Sequence, residues 1–109
     1  MVEVLRYVTR SGRVIIGDWL NGLRDTRVRA RISARFLRLA AGNFRDCKPL
    51  RDGIWEMRVD AGPGYRIYYA ITGRDRVLLL CGGDKRRQWD DVQRAVEYWK
   101  DYQQRTMKP

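Results

Sequence analysis

The sequence predicts a single α+β domain over residues 1–109. Its elements run strand, two helices, three antiparallel strands, helix (β-α-α-β-β-β-α), with the helices packed on one face of a small sheet. The changing period of the apolar residues predicts it. They alternate with polar ones over Val2 to Val8, recur at helical spacing from Val14 to about Ala41, and alternate again over residues 54–81 before a last helical stretch. At 109 residues the chain can bury about two-thirds of its unfolded surface without disulfide or metal staples.

The opening strand ends in a turn at Ser11-Gly12. Ile16, Trp19, Leu20 and Leu23 then fall on one helical stripe. Asp25 or Thr26 can cap a second helix to about Ala41, with Val28, Ile32, Phe36 and Leu39 inward, and Gly42-Asn43 stops it. Residues 42–53 read as a loop, with turn signals at Lys48-Pro49 and Asp52-Gly53.

Two strand patterns next flank the turn Ala61-Gly62-Pro63-Gly64. On the first, Ile54, Glu56, Arg58 and Asp60 share a face opposite Trp55, Met57 and Val59. On the second, Arg66 and Tyr68 oppose Tyr65, Ile67, Tyr69 and Ile71. For both apolar faces to meet one core, paired residue numbers must sum to an even number. A three-residue loop, Ala61 to Pro63, does this and sets Arg58 opposite Arg66 and Glu56 opposite Tyr68. Two arginines directly opposite repel, so a bound anion explains the pair better than stability does.

After a turn around Gly73, Arg76 to Cys81 forms the third strand of the group. Its Val77-Leu78-Leu79-Leu80 is apolar on both faces, as in the centre of a sheet. A last helix runs from about Gln88 to Gln103, with Trp89, Val92, Val96 and Trp99 on one side. Trp19, Trp89 and Trp99 thus read as core tryptophans. With the helices on one face, the other face is open, and Glu56, Arg58, Arg66 and Tyr68 point onto it.

The chain carries 23 Lys and Arg against 13 Asp and Glu, a formal net charge of +10, and 19 of the 23 are arginine. Arginine's planar fork favours phosphate or carboxylate, so nucleic acid or an acidic protein is the natural counterpart. The basic segments lack the Trp- or Leu-rich opposite face of an interfacial helix, and no apolar run is long enough to span a bilayer. The N-terminus has no signal-peptide pattern, which predicts a cytoplasmic protein without membrane contact. Cys47 and Cys81 then read as reduced thiols, neither a bridge nor a metal site. Histidine is absent, which leaves carboxylate, lysine, arginine or tyrosine for any acid–base chemistry.

Two further clusters carry charge. Gly82-Gly83-Asp84-Lys85-Arg86-Arg87-Gln88 follows the third strand of the group; its glycines allow close backbone approach, and its cations join Arg58 and Arg66 as a candidate phosphate pocket. The second helix carries Arg27, Arg31, Arg35 and Arg38 among its arginines. Such a run is ordinarily a solvated face; otherwise it is an RNA or ribosome backbone rail, or a landing site for an acidic partner.

The pattern Gly53-x-Trp55-Glu56-x-Arg58, Gly62-Pro63-Gly64-Tyr65-Arg66-x-Tyr68-Tyr69, Leu80-x-Gly82-Gly83-Asp84-Lys85-x-x-Gln88, Asp91 and Ala95 resembles the RelE/ParE toxin superfamily. It is most similar to its phage-Gp49/HigB-like addiction module killer branch. Trp19-Leu20-x-x-Leu23-x-Asp25 and Gly42-Asn43 extend the resemblance over essentially the whole chain, and the element order inferred above is that family's fold.

The resemblance implies the toxin of a type II toxin–antitoxin pair, acting as a metal-independent, ribosome-associated mRNA endoribonuclease that needs no cofactor. Its chemistry is attack of a ribose 2′-hydroxyl on the adjacent phosphate. The matching positions make Arg66 and Lys85 catalytic cations, and Glu56 is the candidate base. Arg58, Arg86, Arg87 and Gln88 are phosphate or RNA contacts, Tyr68 is a stacking or orienting group, and Lys85 or Tyr68 is the acid. The implied partners are mRNA, the ribosome and an antitoxin with a helix-turn-helix part. The antitoxin would cover the open basic face or wrap the helix bearing Arg27, Arg31, Arg35 and Arg38, and operator DNA is reached only through it. The alternatives are a non-enzymatic DNA gyrase poison of ParE type and a basic nucleic-acid-binding module without activity.

Overall fold

A computed structural model describes residues 1–106, so the expected domain runs three residues past the described ones. Strand β1 (Glu3–Arg6) leads into helices α1 (Ile15–Gly22) and α2 (Thr26–Ala40). Strands β2 (Cys47–Pro49), β3 (Ile54–Val59), β4 (Tyr65–Gly73) and β5 (Arg76–Asp84) follow. A 3-10 turn, Lys85–Arg87, then opens directly into α3 (Gln88–Thr106). Asp25 caps α2, its carboxylate accepting from the backbone N–H of Arg27 at 2.9 Å.

The five strands form one sheet in the order β1-β5-β4-β3-β2. β1 runs parallel to β5, and the other neighbours are antiparallel. The β3–β4 register is the one that alternation requires, with Glu56 facing Tyr68 and Arg58 facing Arg66. Strand β2 lies inside the segment read as a loop. It is three residues long and ends in Pro49, which an edge position tolerates, and so short a pattern carries no periodicity.

Helices cover both faces of the sheet, not one. Ile16 and Leu20 of α1 and Val28, Ile32, Phe36 and Leu39 of α2 pack on Met57, Val59, Ile67, Tyr69 and Leu79. On the other face, Val92, Ala95, Val96 and Trp99 of α3 pack on Ile54, Tyr68, Ala70, Leu78 and Leu80. The reason is that β4 and β5 are apolar on both sides, and two apolar faces need two covers. Cys47 and Cys81 are unpaired and lie one in each core. Far from the hairpin turn, the Tyr7 hydroxyl donates to Asp101 at 2.6 Å, which ties α3 to the end of β1.

Gly82 and Gly83 belong to β5 rather than to a loop, and packing accounts for both. A Cβ on Gly82 would sit 2.6 Å from the Trp19 ring, and one on Gly83 would overlap the Asp91 carboxylate on the opposite face. Both glycines thus admit neighbouring side chains. G82A therefore forces the indole out of its seat and is expected to destabilise the fold by about 1–3 kcal/mol, measured by urea denaturation.

Candidate nucleic-acid interface

Two rows of side chains cross the sheet beneath α3. Lys48, Glu56, Tyr68 and Cys81 are successive partners in one row, and Arg58, Arg66 and Gly83 in the next row towards the turn. The first row lies under cover: Glu56, Tyr68 and Cys81 are buried. The second reaches the margin of α3, where Arg58 is exposed and Arg66 half-buried.

Tyr68 was expected on an open face, ready to stack on a base. It is fully buried in the α3 core instead, its hydroxyl without a hydrogen-bond partner. Burial, reinforced by the nearby Glu56 charge, pushes its phenol well above the ordinary 10. Glu56 is likewise not on an open face. Its carboxylate lies 2.5 Å from Arg66 Nε, 3.7 Å from Lys48 Nζ, and accepts from Gln88 Nε2 at 3.4 Å. Gln88 is thereby engaged with Glu56. The Arg58–Arg66 repulsion that called for an anion is partly met by this internal carboxylate.

Arg58, Arg66 and Lys85 line a single cavity of about 520 Å³, bounded by the turn residues Gly62, Pro63 and Gly64 and by the carboxylates of Asp46 and Asp60. Three segments distant in sequence thus bring cations to one place. Arg86 and Arg87 do not join them. Both line a separate cleft beside Trp19 and Asp91, and Arg86 also reaches the groove beside Leu50 that Lys85 lines. Arg86 is held there by Asp84, at 2.9 Å, and its guanidinium draws the Asp84 carboxyl below the usual range.

A neighbouring groove of about 260 Å³ is lined by Arg31, Arg35, Arg38, Arg45 and Arg58, again with Asp46 and Asp60. Because both spaces share Arg58 and the two carboxylates, the basic face of α2 and the cavity are continuous. Arg35 is not free for a partner: its backbone lies on the buried stripe and its guanidinium donates to the Arg45 carbonyl, bracing the loop after α2. Arg27 is exposed on the first turn of α2, outside the groove.

Sequence reasoning passed over two features. Asp46 and Asp60 carried no motif, although Asp60 shares the Arg58 face of β3 by simple alternation. Trp89 was read as core but is 73% exposed. It lies on the first turn of α3 and lines a groove of about 600 Å³ with Leu50, Arg51, Lys85 and Val92. The buried faces of α3 are set by Asp91, Val92, Ala95, Val96 and Trp99, and position 89 falls at their edge. Among the described residues no three His, Cys, Asp or Glu side chains gather as a metal site.

Fold and site define a basic α+β protein in which three cations line one cavity at the hairpin end. The chain belongs to the Gp49-like phage-derived family, a RelE/HigB-like toxin family; the model described as "Phage derived protein Gp49-like (DUF891)" matches residues 18–97. That span contains Arg58, Arg66 and Lys85. The chain is also similar to a protein of Haemophilus influenzae described as "Uncharacterized protein", 48% identical over 78 residues, which cover 72% of this chain and 79% of the relative.

Two outcomes follow from the electrostatics. E56A leaves Arg66 beside Arg58 without its carboxylate and is expected to cost about 3 kcal/mol in urea denaturation, with added phosphate restoring more stability to E56A than to the parent. Asp91 sets a pH dependence. Burial raises its carboxyl above the ordinary 3.8 despite Arg94 at 3.1 Å. The folded chain then keeps this proton longer than the unfolded one, so stability present below pH 3.8 is lost as pH rises through the folded value. D91N has no such loss, and its stability relative to the parent should rise as the pH increases above 3.8.

Proposed function

We propose that this protein is the toxin of a type II toxin–antitoxin pair and a metal-independent mRNA endoribonuclease acting on translated message. The observation that carries the reading is the convergence of Arg58, Arg66 and Lys85 on one open cavity at the hairpin end. Cleavage by a ribose 2′-hydroxyl forms an O2′–P bond and breaks the P–O5′ bond, leaving a 2′,3′-cyclic phosphate and a 5′-hydroxyl. Negative charge builds on the phosphoryl oxygens, where Arg58 and Arg66 stabilise it. Lys85, which has no ion-pair partner among the described residues, delivers a proton to the departing 5′-oxygen.

The base assignment changes with the geometry. Glu56 is buried and engaged with Arg66, Lys48 and Gln88, so we assign it to positioning Arg66. Of the two exposed carboxylates at the cavity, Asp46 and Asp60, we assign the 2′-hydroxyl proton to Asp60, which follows β3 two residues after Arg58. The antitoxin would neutralise the protein by covering the cavity and the exposed Arg31 and Arg38 beside it, and operator DNA would be met only through that complex.

Mapping transcript 5′ ends after brief production of the chain without antitoxin tests the reading. New ends inside translated codons are expected, with R66A lowering their yield by at least about 100-fold. D60N should lower cleavage by about 100-fold or more in a reconstituted translation reaction, whereas E56Q, which keeps a polar partner for Arg66, should slow it less. Growth arrest with intact transcripts would overturn the ribonuclease reading and favour gyrase poisoning.

A further inference from the structure

We infer that Trp89 and the groove beside it form a stacking subsite for one nucleobase of single-stranded RNA, next to the nucleotide whose phosphate enters the Arg58–Arg66–Lys85 cavity. This rests on the ribonuclease reading above and adds to it where on the substrate the second contact falls.

A single exposed apolar side chain is ordinary on a protein surface, so exposure alone decides nothing. What distinguishes Trp89 is its surroundings. Leu50 and Val92 give the groove apolar surface, while Arg51 and Lys85 make its walls cationic. Arg51 is held in place: one nitrogen lies 2.6 Å from Asp52 and another donates to Gln93 at 2.7 Å. Lys85 lines both this groove and the phosphate cavity, so the two spaces adjoin through one side chain.

A flat π-surface flanked by cations, adjoining a cavity lined by three cations, matches a base linked to its own backbone. An acidic peptide would use the cations and leave the indole unexplained. The other exposed large apolar residues, Met1, Val8, Leu37, Phe44 and Ile71, do not line this groove. Stacking accepts every base through its π-face, so the subsite adds affinity and register more than sequence choice.

The test is anisotropy of a short fluorescein-labelled RNA, 2′-O-methylated to prevent cleavage, with the parent chain, W89A, W89F and R66A. An abasic nucleotide is then moved through each position of the RNA. W89A is expected to weaken binding about 5- to 100-fold, the range of one lost stacked base, with W89F within about threefold of the parent. At one abasic position, W89A and the parent should bind equally. Unchanged urea midpoints for W89A are expected, since its indole is largely solvated.

W89A binding like the parent, or a W89A loss identical at every abasic position, overturns the subsite. If R66A weakens binding while W89A does not, the phosphate cavity stands and the stacking site falls. If R66A has no effect, the ribonuclease reading itself fails. Loss of antitoxin neutralisation in W89A with RNA binding intact would assign the groove to a protein and overturn the inference. Failure of the parent chain to bind the RNA at low salt removes both readings.

Discussion

Strands β3 and β4 lie between helices on both faces over most of their length, and this sets where a charged side chain on them can survive. Under α3, a charge must find a partner inside the protein; at the margin of α3, it can face water or a ligand. Glu56 lies on the covered side of that boundary and Arg66 at its edge. One step towards the turn, Arg58 is exposed. The site is therefore at the hairpin end because the covering helix stops there, and the 3-10 turn that starts the helix is what brings Lys85 across. Fold and site are two consequences of the same edge.

The pairing of charges reinforces this placement. Away from the cavity, several carboxylates are matched to arginines: Arg76 with Glu3, Arg13 with Asp18, Arg10 and Arg105 with Asp101, and Arg94 with Asp91. Exposed pairs of this kind contribute little to stability, but they neutralise their neighbourhoods. Arg31, Arg38, Arg45, Arg58 and Lys85 form no ion pair among the described residues, and all five line the cavity or its continuation. Cations without an ion-pair partner thereby line this side of the molecule, where they can steer a polyanion.

Much of this was legible in the sequence. Parity fixed the β3–β4 register, the helical stripes placed α1 and α2, and the convergence of Arg58, Arg66 and Lys85 followed from strand order. Alternation says which residues share a face, but not whether that face is covered, and so Glu56 and Tyr68 were placed in the open. A signal was present in Leu78 and Leu80, whose burial demands a helix opposite the one covering Leu79. Gly82 and Gly83 were misleading because glycine marks a turn and a close contact equally well. For Arg35 and Trp89 the difficulty is helical phase: one residue at the edge of a stripe is buried, the other exposed, and only the width of the opposing surface decides.

The pairing of β1 with β5 has a consequence for biosynthesis. Residues near the start of the chain take their sheet partner from residues 76–79, and Lys85 follows a few positions later. Contacts so distant in sequence cannot form while the later segment is still inside the ribosome. A nascent chain can therefore display the arginines of α2 early, yet it has no complete sheet and no complete cation cavity until β5 and the turn after it have emerged. Products that end before β5 would lack both, because the last strand to emerge is the one that completes the sheet and leads into Lys85.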